Sequence, residues 1–198
     1  MHRQQRNSEF HLNASDLRRL IEAAPSRRDR LLVQTLVFTG IRRAEARAIH
    51  SSDIDFSRGR LLIQRGKGGK QRLVFLSREL HTELREYLSG FGEGYLFQGR
   101  DGHPMSLRNI NYIVRKIGRL AGVRSPNPRN EAVTPHLLRH SFARNWKRAG
   151  GSMESLQKIL GHASLKTTLD VYGTEGVDET EENYHSFEKY LVNGAAIS

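Results

Sequence analysis

Residues 61–75 read Leu61-Leu62-Ile63-Gln64-Arg65-Gly66-Lys67-Gly68-Gly69-Lys70-Gln71-Arg72-Leu73-Val74-Phe75, and this stretch decides the architecture. Two short apolar runs, Leu61 to Ile63 and Leu73 to Phe75, enclose a Gly-rich loop. That pattern predicts an antiparallel β-hairpin. The sequence on either side reads as helix. Upstream, Asn13 or Ser15 can cap a helix with Leu17, Leu20 and Ile21 on its apolar face, which Pro25 and Ser26 end. Asp29 opens a more hydrophobic helix through Leu31 to Phe38, Gly40 interrupts it, and Arg42 to Ile49 forms a short one. Downstream, helices are expected at Ser77 to Leu88, Ser106 to Ala121, Pro135 to Ala149, Glu154 to Leu160, Ser164 to Tyr172 and Glu179 to Leu191. Ser125-Pro126-Asn127-Pro128 is a surface loop. The expected fold is therefore mainly α with a small antiparallel β-sheet (α+β). It divides into an N-terminal tail or linker remnant over 1–12, one domain over 13–175, and an acidic C-terminal helix or tail over 176–198.

The chain has 198 residues, with 32 Lys plus Arg against 21 Asp plus Glu and a net charge of +11. Such a balance favours a polyanionic partner, nucleic acid before an anionic membrane. No apolar run reaches the length of a membrane span, and Met1 to Phe10 lacks the apolar core of a signal peptide, so a cytoplasmic protein is expected. The absence of cysteine rules out disulfides, cysteine nucleophiles and thiolate metal sites. The charge is uneven: after Tyr172 the chain turns acidic, with Glu175, Asp178, Glu179, Glu181 and Glu182. An acidic tail suits a basic protein surface better than DNA. The seat is its own domain or a neighbouring copy, and the neighbour is slightly favoured.

Several polar clusters carry chemistry. Arg42 follows a glycine turn, and Glu45 lies one helical turn on, placed to hold its guanidinium. A held arginine grips two phosphate oxygens at once, although alone the pair reads more readily as a surface ion pair. Lys67 sits at the hairpin tip between glycines, where it can approach DNA and donate a proton. A phosphate-binding P-loop is not supported, because Gln71 follows Lys70 where that motif has Ser or Thr. Lys70, Arg72 and Arg43 are candidates for DNA contacts. Thr134 and Pro135 open a helix on which His136 and Arg139 share a face near the N-terminus, where an anion is favoured. His136 and His140 have zinc-helix spacing. Leu137 stands where the metalloprotease motif has Glu, however, and no third ligand is evident, so no metal or other cofactor is expected. His140 reads as a packed, hydrogen-bonded histidine supporting the site. His162 follows Gly161, and Tyr172 comes ten residues later. A tyrosine needs a base and nearby positive charge to attack phosphorus at neutral pH.

Taken in order, with the flanks TGIRRAE, GKGGKQR, TPHLLRHSFA and ILGHASLKTTLDVYG, these clusters resemble the tyrosine recombinases, the family of phage-type integrases and Xer-type recombinases. The resemblance spans about Asn13 to Tyr172. It implies the catalytic set Arg42, Lys67, His136, Arg139, His162 and Tyr172, with Glu45 and His140 in support. It implies an enzyme that cuts and rejoins double-stranded DNA through a 3′-phosphotyrosyl link without metal or ATP, acting as a tetramer on two DNA sites while monomeric alone. Two departures stand out. The step from His162 to Tyr172 is one residue longer than in many members. The family's separate N-terminal DNA-binding domain has no counterpart in this sequence, which is expected to be a fragment or a reduced enzyme. A type IB topoisomerase, a non-catalytic DNA-binding module of the same fold, and a metal-dependent phosphodiesterase are the alternatives.

Overall fold

Helix α2, Arg27–Thr39, is the pillar of the structure. Ser26 caps it, its Oγ accepting from the Asp29 amide at 3.2 Å. From Leu31 to Thr39 every residue is buried, so this stretch of the helix has no solvent face. Sequence periodicity gives the same reading, since a helix apolar all round belongs inside. The computed structural model describes residues 10–64, 71–90, 92–161 and 177–193. Helix α1 is Ala14–Glu22, capped by Asn13. After α2 come α3 (Arg43–Ala48), β1 (Ile54–Asp55), β2 (Arg60–Ile63), β3 (Arg72–Phe75) and α4 (Arg78–Leu88). Helices α5 (Leu107–Leu120), α6 (Pro135–Arg148), α7 (Met153–Leu160) and α8 (Val177–Asn193) complete the described residues. Around α2 pack α1, α4 and α6.

The expected hairpin is present as β2 and β3, with Leu61 opposite Val74 and Ile63 opposite Arg72. A third strand, β1, joins it antiparallel through Ile54 and Leu61. At two residues it lacks any period to detect. One face of the sheet enters the core through Leu61, Ile63 and Val74, while Phe75 is buried on the other face, and β3 lies against α7. The mainly helical fold with a small antiparallel sheet thus stands as expected. No helix among the described residues is long and apolar enough to cross a membrane.

Two expectations at the ends are corrected. Leu12, assigned to a tail, is 1% exposed. Its amide donates to Ser141 Oγ and its carbonyl accepts from Asn145 Nδ2, both at 2.9 Å. The acidic C-terminal helix, expected with slight preference on a neighbour, lies on its own chain. Tyr184, Phe187 and Leu191 recur every three or four residues and are all buried. Phe187 meets Phe142 edge-on at 4.9 Å, and Tyr184 Oη donates to the Phe38 carbonyl at 3.0 Å. Acidic residues still meet basic ones, as expected: Glu181 pairs with Arg60 at 2.6 Å.

Candidate active site

The site forms where three chain turns meet. Helix α2 ends at Gly40, whose φ of 62° is left-handed. A Cβ there would lie 2.6 Å from the Phe142 ring, so glycine is required by both backbone and space. The turn delivers Arg42 to the start of α3. There the Arg42 amide donates to Glu45 Oε2 at 2.7 Å and its Nη1 to Oε1 at 3.1 Å. The sequence spacing had indicated this pairing.

Helix α6 supplies the second group. Thr134 Oγ1 accepts from the Leu137 amide at 3.2 Å, and Pro135 occupies the first turn. That cap fixes the phase in which Leu138 and Phe142 face the core while His136 stays exposed and Arg139 half-buried. Arg139 donates through Nη1 to the Gly40 carbonyl at 2.7 Å and through Nη2 to the Leu160 carbonyl at 2.9 Å.

Helix α7 supplies the acceptors. Its C-cap, Gly161, is left-handed at φ 62°, and its amide bonds the carbonyls of Gln157 and Lys158. The carbonyls of Ile159 and Leu160 are left over, as the last ones of any helix are. Arginines take them: Arg72 Nε reaches Ile159 O at 2.7 Å, Arg139 reaches Leu160 O, and Arg42 Nη1 approaches the same oxygen at 3.5 Å. Cations at a helix C-terminus also meet the negative end of its dipole. Three separate elements thus lock three guanidinium groups around one helix end.

The resulting cleft, about 780 Å³, is lined by Arg42, Arg43, His136, Arg139, His140 and residues of α5. Among the described residues no carboxylate lines it. Burial, and then the charge of Arg42, lower the pKa of Arg139 to about 10. Arg72 adds to this and Glu45 opposes it. The group is cationic at neutral pH but poorly solvated among like charges, and an incoming phosphate would relieve both costs. Burial pushes the Glu45 carboxyl up. Hydrogen bonds from Arg72 and the Arg42 amide, with the charge of Arg72, outweigh this and hold it below its ordinary range.

Arg42, Arg43, His136, Arg139 and His140 therefore meet at one cleft, with Glu45 behind it. Arg72 is a correction. Read as a DNA-backbone contact, it instead turns inward, its side chain 10% exposed and paired with Glu45. Its partner sits on another element, so no local spacing could reveal the pair. Lys67, Lys70, His162 and Tyr172 lie outside the described residues. The cleft adds two residues that the sequence did not single out, Asn111 and Arg115. They are four apart on α5, opposite its buried Ile113 and Ile117 stripe, and that spacing was the available signal.

A mostly helical domain that gathers two arginines and a histidine in this chain order belongs to a defined class, and sequence comparison shows which. The chain belongs to the phage integrase family, whose profile matches residues 11–176. It is 35% identical over 164 residues to tyrosine recombinase XerA of Thermococcus kodakarensis, covering 79% of this chain and 55% of that protein. It is 37% identical over 145 residues to tyrosine recombinase XerC of Chromobacterium violaceum, covering 71% of this chain and 46% of the relative. The chain thus spans about half the length of these relatives. Among solved structures, a crystal structure of XerA recombinase superposes with a TM-score of 0.70 at 32% identity, over 88% of this chain and 64% of the other. XerH site-specific recombinase bound to difH substrate in a pre-cleavage complex gives 0.63 at 31% identity, over 87% and 52%.

Proposed function

We propose that this chain is the catalytic part of a site-specific DNA recombinase. It would cleave and rejoin double-stranded DNA in the cytoplasm through a 3′-phosphotyrosyl intermediate. The observation that carries the reading is the convergence of Arg42, His136 and Arg139 on one cleft with no acidic lining among the described residues, in a chain of this family. DNA as substrate accords with the XerH complex.

In the proposed reaction the Tyr172 hydroxyl oxygen attacks the scissile phosphorus and its proton passes to His136. The bond from phosphorus to the 5′ oxygen breaks, and Lys67 protonates that oxygen. Arg42 and Arg139 stabilise the charge growing on the nonbridging oxygens, and His162 donates a hydrogen bond to the phosphate. The phosphotyrosine conserves the energy of the broken bond, so a 5′-hydroxyl from a second duplex reverses the step and completes the exchange without ATP or metal. Arg43, Arg115, Asn111 and Lys70 would steer the backbone along the cleft. The assembly on two DNA sites would be a tetramer, and the chain alone a monomer.

The test uses nicked duplexes that trap the intermediate, recovered from a random library by covalent capture on the wild-type chain. Wild type forms a denaturant-resistant adduct in the presence of EDTA. Tyr172→Phe binds the same DNA and forms none. An adduct with the Phe variant overturns the assignment of the nucleophile, and relaxation of supercoiled DNA without strand exchange replaces the recombinase reading by a topoisomerase one.

A further inference from the structure

Among the described residues Arg72 is the best-anchored cation of the site, yet it is not among those lining the cleft. Its Nη1 and Nη2 donate to Glu45 Oε1 and Oε2, each at 2.8 Å, and its Nε donates to Ile159 O at 2.7 Å. Gly161 closes over its stem: a Cβ at that position would lie 2.9 Å from Arg72 Cδ. Strand β3, helix α3 and the end of α7 therefore fix one guanidinium in one orientation. We infer that Arg72 is a positioning residue of the cleavage reaction, which occupies Glu45 so that the Arg42 guanidinium stays aimed into the cleft. The inference rests on the recombinase reading above.

The physical reason lies in Glu45. An ionised carboxylate has about four acceptor positions, and Glu45, its side chain 3% exposed, receives four donors: the Arg42 amide, Arg42 Nη1 and both Nη groups of Arg72. The planar two-point contact belongs to Arg72, and Arg42 shares one oxygen at the longer 3.1 Å. With Arg72 removed, a buried carboxylate would keep a single cationic partner. Arg42 would then close on it as a neutral pair and turn from the cleft. With Arg72 present, three guanidinium groups face one carboxylate, and the surplus charge is available to the substrate. Arg72 is also the strongest of the partners that hold the Glu45 carboxyl below its ordinary range against burial.

Arg72→Met keeps the stem and removes the charge. On a phosphodiester substrate, adduct formation should fall about 100-fold, the scale of a slightly misplaced catalytic group. The salt slope of DNA binding should stay unchanged, because a group touching no phosphate releases no counterion. A methylphosphonate at the scissile position carries no nonbridging charge, so Arg42 matters less there. On it the variant should recover to within about tenfold of wild type, since the lost charge stabilisation is no longer demanded. In a Glu45→Gln background, adding Arg72→Met should cost little more, as expected of residues acting through one another. Arg72→Lys, a point charge without the planar fork, should fall between wild type and Met, and it carries the same substrate comparison should the Met variant not fold. Equal losses on both substrates, additive losses with Glu45→Gln, or a reduced salt slope each overturn the proposal. Failure of wild type itself to form an adduct overturns the recombinase reading instead, and is scored before any variant.

Discussion

Two clefts of nearly equal size open on this surface, and their contents differ. One, about 720 Å³ between α2 and α4, holds Arg27, Arg30 and Arg78 with Glu79, Glu83 and Glu86. The other, about 780 Å³, holds Arg42, Arg43, Arg115 and Arg139 with His136 and His140. In the first, charges are matched and solvated: Arg27 pairs with Glu86 at 2.8 Å, the two side chains 45% and 65% exposed, and Arg30 approaches Glu83 at 3.7 Å. In the second, no carboxylate is present among the described residues of the lining. Glu45 stands behind it, and helix-end carbonyls hold the arginines by hydrogen bonds without cancelling their charge. Neither volume nor arginine content marks an anion site here. Uncompensated charge on immobilised groups does.

Substitutions sharpen that contrast. The largest effect is expected from Arg139→Ala, which removes one preorganised donor from the proposed phosphate site. Adduct formation should drop by about 10²–10³, measured in single-turnover trapping, while DNA affinity falls far less. Equal losses in both would reduce Arg139 to a phosphate anchor. Next comes Gly40→Ala, which places a side chain at φ 62° and 2.6 Å from Phe142. It should destabilise the fold by about 1–3 kcal/mol and disturb the carbonyl that orients Arg139, visible as a lowered urea midpoint together with slower trapping.

Acid separates the clefts in another way. The Glu45 carboxyl is held below its ordinary 4.5. Its ionised form therefore contributes stability that is present above 4.5 and is lost as the pH falls through the lowered folded value. The stability difference between wild type and Glu45→Gln, read from urea midpoints, should shrink on acidification. The smallest effect is expected in the matched cleft. Arg27→Ala should change stability by no more than about 1 kcal/mol, as exposed pairs do, and should leave trapping unchanged. A marked loss of trapping there would erase the distinction between the clefts.

Features contained within one turn or one helix were legible in the sequence. Arg42 with Glu45, the Thr134 cap that phases His136 and Arg139, and the hairpin flanks all follow from spacing alone. Features that join distant segments were not. Arg72 looks like a DNA contact because it adjoins a basic loop, and only the fold shows Glu45 and Ile159 waiting for it. Leu12 looks like tail until Ser141 and Asn145 are seen to bind its backbone. In α8 the sequence showed a helix and its acidic residues, and the buried Tyr184, Phe187 and Leu191 find their partners on distant segments. Asn111 and Arg115 carried only a spacing signal, and the packing of α5 against α3 gives it meaning.

In the proposed function this cleft serves a tyrosine that becomes covalently joined to DNA. The most direct measurement is mass-spectrometric mapping of the DNA-linked peptide from trapped wild-type protein, with the chemistry of both DNA ends. One modified peptide is expected, carrying a 3′-phosphate ester on Tyr172, with a free 5′-hydroxyl on the released strand. Attachment to another residue, or through a 5′-phosphate, would contradict it.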